Sequence, residues 1–374
     1  MFLKKEKLNI DCWINKEKLK DTLEHKIKIF LNEAIEKKAF PGAVVIAGDG
    51  EKQILKIAVG RTTYSSDSQK VGIDTIYDLA SLAKIFTLTG ALILASKNEI
   101  NLDKEINYFL KTDNFPKVTL RHLLTHTSGL KLSLSSLKNF PPEQIEKEIF
   151  SHGPKTEPGT ECYYSNQGYF ILGEILERVT KKRLDSFFRD SIFIPLRMNS
   201  TGFNPPKEWK KKIAPTEDDP WRGGLIWGET HDEIAYKTGG IAGHAGLFSN
   251  GEDLFKLGQL WLGGGTFEGK QLIKRNFISQ ATTGNFPEAI DGTGIYAQHF
   301  GLGWRLENRK FIGHLASKNT YNFSGFTGPS LMVDPEKELI VVIMNNRIHP
   351  SRTGPDWILF HAKITEEIYR SLFL

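Results

Sequence analysis

The chain of 374 residues has only two cysteines, Cys12 and Cys162. No CxxC pair exists, which argues against a zinc knuckle or a dithiol redox centre. Two lone thiols suit a reducing compartment. Long apolar runs are also missing. The longest apolar-rich stretch, Ile85 to Ala95, is too short to cross a bilayer and carries Thr87 and Thr89. Met1 to Asp11 alternates lysine with single apolar residues and lacks the apolar stretch of a signal peptide, so a cytoplasmic location is expected. The net charge of +5 comes from scattered runs: Lys4, Lys5 and Lys7; Lys181-Lys182-Arg183; Lys210-Lys211-Lys212. None interleaves with aromatics, so nucleic acid is not an expected partner. No H-E-x-x-H occurs, and no Walker lysine follows Gly239-Gly240, so neither a metal nor another cofactor is expected. No linker, internal repeat or low-complexity tract divides the chain.

What is present is enough apolar residue, 40%, for a large core. Residues 16–38 read as an amphipathic helix with Ile27, Phe30, Leu31, Ala34 and Ile35 on one stripe. Phe40-Pro41-Gly42 stops it. Strands follow at Ala43–Ala47 and Ile54–Val59 around the hairpin signal Asp49-Gly50. Near the other end, Ser330–Val333 and Leu339–Met344 read as strands, and residues 356–372 have helical period. Both ends thus offer strands and a helix. The economical solution is an α+β architecture: one antiparallel sheet from both ends, with the terminal helices on one face. The expected division is a sheet lobe of about 16–80 and 296–374, and a mostly helical lobe of about 81–295.

The helix from Ser81 to about Lys97 is apolar all round and therefore buried, in the seam between the lobes. Ser81 and Lys84 share one of its faces. A serine hydroxyl needs a base, and a lysine becomes one when its ammonium is desolvated. The spacing S-x-x-K also occurs at Ser128/Lys131 and Ser135/Lys138, but only Ser81 opens a buried helix. Tyr164-Ser165-Asn166, the single Y-x-N, follows the turn Pro158-Gly159-Thr160 and precedes an apolar helix from about Gly168 to Val179. A phenol beside an ammonium can shuttle protons, and an amide can hold a lysine and a substrate together. His231-Asp232-Glu233, with His126 and His244, has no metal-binding spacing and reads as turn chemistry beside a pocket. A metallohydrolase using the His231 region is a third option, which EDTA-insensitive activity would exclude. Cys162 reads as a small buried filler.

Asp78-Leu79-Ala80-Ser81-Leu82-Ala83-Lys84, Leu123-Leu124-Thr125-His126-Thr127-Ser128-Gly129-Leu130, Pro158-Gly159 through Tyr164-Ser165-Asn166, Ala242-Gly243-His244-Ala245-Gly246-Leu247-Phe248-Ser249 and Gly325-Phe326-Thr327-Gly328 fall in the order of known motifs. Over roughly residues 26–370 the chain resembles the serine β-lactamase-related family: class C β-lactamases, low-molecular-weight penicillin-binding D-alanyl-D-alanine carboxypeptidases and related esterases. The resemblance implies that Ser81 is acylated, Lys84 is the base and Tyr164 assists proton transfer. It also implies that Asn166 orients Lys84 and the substrate, and that the backbone N–H groups of Ser81 and Phe326 form the oxyanion hole.

The third motif departs from the family. Lys-Thr-Gly or His-Thr-Gly is replaced by Phe323-Ser324-Gly325. A ring stands where a cation would meet a substrate carboxylate. His314 or Lys318 would restore the charge by folding back; Arg347, in Asn345-Asn346-Arg347, is the preferred anion contact. Ser324, Gly325 and Phe326 would border the substrate. The expected function is a serine hydrolase acting on an ester or amide, a class that includes D-alanyl-D-alanine-type peptides and β-lactams. The alternative is a degenerate relative that binds a peptide or cell-wall fragment without turnover.

Overall fold

The computed structural model describes residues 16–283, 289–290 and 297–374. Met1 to Asp11 and Cys12 lie outside the described residues.

An eight-stranded sheet is built from β1 (Gly42–Gly48), β2 (Gln53–Gly60), β3 (Ala289–Ile290), β4 (Ala297–Phe300), β5 (Arg305–Leu306), β6 (Tyr321–Ser324), β7 (Ser330–Asp334) and β8 (Leu339–Asn345). Its order is β3-β4-β5-β6-β7-β8-β1-β2, antiparallel throughout. β1 and β8 join the two ends of the fold, with Ala43 opposite Asn345 and Gly48 opposite Ile340. Five longer helices matter for the site: α1 (Lys16–Glu36), α2 (Ala83–Ser96), α3 (Asn166–Thr180), α4 (Gly251–Leu262) and α5 (Ile358–Phe373).

Successive strand residues point to opposite faces. Ala43, Val45, Ala47, Met332, Val341 and Ile343 meet Leu23, Ile27, Leu31 and Ala34 of α1 and Ile364 and Ile368 of α5. Val44, Ile46, Leu331, Val333, Ile340 and Val342 face the larger core that contains α2, α3 and α4. Burial on both faces is why these strands are continuously apolar rather than alternating. α4 comes from the segment expected in the helical lobe but lies on this second sheet face. Its amphipathic stripe shows that it covers something without showing what. Gly258 lets it come close, since a Cβ there would sit 2.7 Å from Ile340 Cγ2.

α2 is buried at every position from Ala83 to Ala95. A 3-10 turn, Ala80–Leu82, leads into it. α3 begins at Asn166, earlier than its apolar period suggests, because the Ser165 side chain caps it by accepting from the Gly168 N–H at 3.0 Å. A small three-stranded sheet of Tyr77–Asp78, Leu247–Ser249 and Gly202–Phe203 pins the chain just before Ser81. Among the described residues no helix is long and apolar enough to cross a membrane.

Candidate active site

Ser81 sits where the backbone is forced. Ala80, just before it, has φ +43°, a conformation that is costly for a residue with a Cβ. Asp78 holds the turn. One carboxylate oxygen accepts from Ala80 N at 2.7 Å, the other from His231 N at 2.6 Å, and the Asp78 carbonyl accepts from Thr327 Oγ1 at 2.6 Å. Burial raises the Asp78 pKa despite these bonds. The turn that carries Ser81 into α2 is thereby tied to the loop after β6.

One helical step along, Lys84 Nζ lies 3.0 Å from Ser81 Oγ and donates to the His244 carbonyl at 3.1 Å. The lysine is fully buried. Desolvation lowers its pKa, against the opposing pull of Tyr164 and Asp232, and Arg305 adds to the lowering. Tyr164 presents its ring to the amine, 4.9 Å from Nζ to the ring centroid. Burial raises the phenol's pKa, but the charges of Lys84 and Arg305 outweigh it and the net direction is down. Interaction of the phenol with the Lys84 amine and the Ser81 hydroxyl adds to that lowering.

His126 packs behind Tyr164 with ring centroids 4.7 Å apart, and its Nδ1 accepts from Ser165 N at 3.1 Å. Burial, then Lys84 and Arg305, hold its pKa well below the usual histidine value, so it supports Tyr164 as a neutral ring. The other histidines have separate partners: His231 Nε2 meets Glu217 at 2.8 Å and His244 Nε2 meets Asp232 at 3.1 Å. Among the described residues no group of three or more His, Cys, Asp or Glu is gathered to hold a metal ion. Cys162 is buried, and burial pushes its thiol up to about 12.

A cleft of about 640 Å³ opens over this centre, and its lining includes Ser81, Tyr164, Asn166, Ser324, Gly325, Phe326 and Arg347. The structure therefore brings these seven residues together, with Lys84 beneath. Three details differ from expectation. The lysine is held by the His244 carbonyl, and Asn166 makes no bond to it; the Asn166 Oδ1 is buried without a partner. Arg347 spends its Nε on the Phe326 carbonyl at 2.7 Å and stacks on the Phe326 ring at 4.2 Å, so it braces the Phe326 loop from the rim. His314 and Lys318 are exposed and do not line the cleft, because the His314 N–H is held by Glu366 of α5.

A cation does reach Ser324, from the neighbouring strand. Arg305 on β5 faces Asn322 on β6, and its Nη1 donates to Ser324 Oγ at 2.8 Å. Its guanidinium lies 4.7 Å from the ring of Phe323 and 5.7 Å from that of Tyr164. Phe323 thus forms the apolar floor on which the cation rests. Trp304-Arg305-Leu306 carries no motif spacing, and only strand pairing across residues 307–320 relates it to Ser324. The ring at Phe323 motivates the non-catalytic reading, yet the cleft does carry a cation beside Ser324.

A β-lactamase family model matches residues 24–365. The chain belongs to the β-lactamase family. A protein of Escherichia coli O157:H7 named as a D-alanyl-D-alanine carboxypeptidase is 32% identical over 326 residues, 76% of this chain and 72% of that one. An N-acetylmuramyl-L-alanine amidase of Bacillus subtilis strain 168 is 30% identical over 362 residues, 85% of this chain and 79% of that one. Among solved structures, EstCE1, a hydrolase with promiscuous acyltransferase activity, superposes with a TM-score of 0.75 at 20% identity, covering 94% of this chain and 99% of that one. The fold is the β-lactamase/transpeptidase-like α+β fold, and this member of the family is a serine hydrolase.

Proposed function

We propose that this hydrolase works through an acyl-enzyme on Ser81 and cleaves an amide or ester whose anionic group is held by Arg305 and Ser324. The observation that carries the reading is the 3.0 Å separation of a fully buried Lys84 amine from the Ser81 hydroxyl. Neutral Lys84 takes the Oγ proton as Oγ bonds to the substrate carbonyl carbon. The oxyanion forms against the Ser81 and Phe326 N–H groups, each such donor being worth about 10²–10³ in rate. Tyr164 relays the proton held by Lys84 to the departing amine or alkoxide as the acyl–leaving-group bond breaks, which leaves the amine neutral and the phenol protonated again. Water then repeats the sequence on the acyl-enzyme and frees Ser81. The Asn166 Oδ1 accepts a substrate amide N–H, which relieves a buried acceptor that has no partner. The names of the relatives, a carboxypeptidase and an amidase, favour amide substrates.

A fluorophosphonate probe should label Ser81, as read by peptide mass mapping, and Ser81→Ala should abolish the label. Unchanged labelling of the variant would remove the proposal. The anion subsite has its own check. Arg305→Met keeps the stem that packs on Phe323 and removes the charge. It should lower kcat/KM for N-acetyl-D-alanyl-D-alanine by about 10–10², the usual range for a hydrogen bond to a charged group. Loss on the neutral ester p-nitrophenyl butyrate should be several-fold smaller. Equal losses would show that Arg305 acts only through Tyr164.

A further inference from the structure

His244 has two separate tasks. Its backbone carbonyl anchors Lys84, and its ring, fully buried, donates from Nε2 to Asp232 Oδ1 at 3.1 Å. Nδ1 of that ring is buried without a partner, so the ring proton belongs on Nε2, where it meets the carboxylate. The loop gets this deep because Gly243 lies flush against α3. A Cβ on Gly243 would sit 2.2 Å from the Tyr169 carbonyl oxygen, and the Gly243 carbonyl itself accepts from Thr87 Oγ1 of α2 at 2.6 Å.

Asp232 lines the same cleft as Ser81 and Arg305. It also starts the short helix Glu233–Lys237, accepting from Ile234 N at 3.0 Å and Ala235 N at 2.8 Å. All three bonds fall on Oδ1. Oδ2 takes none of them and, unlike the neighbouring Asn166 acceptor, is not sealed from solvent. A carboxylate fixed through one oxygen has lost its rotational freedom, so its second oxygen is pre-organised as an acceptor. Burial works against the charge, but His244, the backbone donors and Lys84 keep the carboxyl ionised, far below the ordinary aspartate range.

We propose that Asp232, held in place by His244, is a substrate-specificity residue whose Oδ2 accepts a hydrogen bond from a neutral N–H or O–H group of the substrate. A neutral donor fits better than an ammonium, because Lys84 and Arg305 both act on this region. Together with Arg305, the cleft then recognises a molecule bearing both an anion and a polar donor, such as a peptide or a sugar-linked amino acid. The inference rests on the proposed hydrolase reading, and its test separates the two.

The test is calorimetric binding to Ser81→Ala, which cannot turn over, with N-acetyl-D-alanyl-D-alanine and N-acetylmuramyl-L-alanine as probes. Adding Asp232→Asn should weaken at least one probe tenfold or more. Weakening of the dipeptide assigns the donor to a peptide N–H; weakening confined to the muramyl compound assigns it to a sugar hydroxyl. His244→Leu should reproduce the loss, and His244→Gln, whose amide keeps a donor toward Asp232, should restore part of it. Binding of both probes within twofold in the Asp232→Asn variant overturns the inference, as does failure of both to bind Ser81→Ala itself. Fluorophosphonate labelling of the Asp232→Asn protein at Ser81 is read in parallel. Label retained with unchanged binding sinks this inference alone, whereas an unlabelled wild-type protein sinks the hydrolase proposal.

Discussion

Replacing Lys84 by alanine should lower kcat/KM by at least about 10³, toward the upper end of the 10²–10⁴ typical of a positioned general base. Lys84→Arg should do no better, because a guanidinium keeps its proton at any working pH and cannot accept one from Ser81. The pH dependence carries the sign. Lys84 acts as a base only when neutral, and burial moves its pKa below the ordinary 10.5. In the wild type, kcat/KM should therefore rise with pH and level off before an ordinary lysine would lose its proton. Stability has the same sign: the unfolded chain binds a proton on this amine that the folded protein refuses. Burying Lys84 therefore costs least above pH 10.5 and progressively more as pH falls toward the folded-state pKa. Ester hydrolysis across a pH series, with thermal unfolding on the same samples, reads both. A profile that rises only at and above pH 10.5, as for an ordinary lysine, would contradict a desolvated Lys84 as the proton acceptor.

The second large effect is expected at Gly325, which has no ionisable group. A Cβ there would lie 2.1 Å from the Leu79 carbonyl oxygen and 3.4 Å from the Ala80 Cβ. Leu79 is itself fastened, its N–H donating to the Leu247 carbonyl at 2.8 Å. Gly325→Ala must therefore push the end of β6 away from the Ser81 turn and part the two oxyanion donors. The expected result is a fall in kcat of about 10²–10³, the value of one such donor, with KM changing far less. Burst kinetics with p-nitrophenyl acetate would locate the loss in acylation. Wild-type kcat in this variant would mean that the Phe326 N–H is not an oxyanion donor.

Several of these features could be read from the chain before any fold was known. Ser81 and Lys84 are local, one helical turn apart on an all-apolar segment, and both their proximity and their burial follow from that. Tyr164 is distant, yet its neighbours Ser165 and Asn166 begin a helix by ordinary capping. The strands around Val44 and Val342 show as apolar runs because both their faces are covered. Arg305 did not show. It reaches Ser324 through a strand pairing whose connection is irregular, and no spacing rule spans such a gap. Turn chemistry, all that the spacing of Asp232 and His244 implies, half describes them. Their meeting depends on how closely two glycines, Gly173 and Gly243, let a loop approach α3, a distance no composition reveals. His314 and Lys318 are exposed away from the cleft, and Glu366 of α5 holds the His314 backbone N–H.

The seam between β1 and β8 has a consequence for synthesis. β1 is translated early, yet the strand that completes its hydrogen bonds comes near the end of the chain, after every other strand of the sheet. Until then one side of β1 is an open, apolar template of the kind that recruits foreign strands. Trimming the molecule back from Phe373 past Leu339 would not shave its periphery; it would split the sheet down its middle, so partial products should surface as chaperone clients or inclusion bodies rather than as smaller working enzymes.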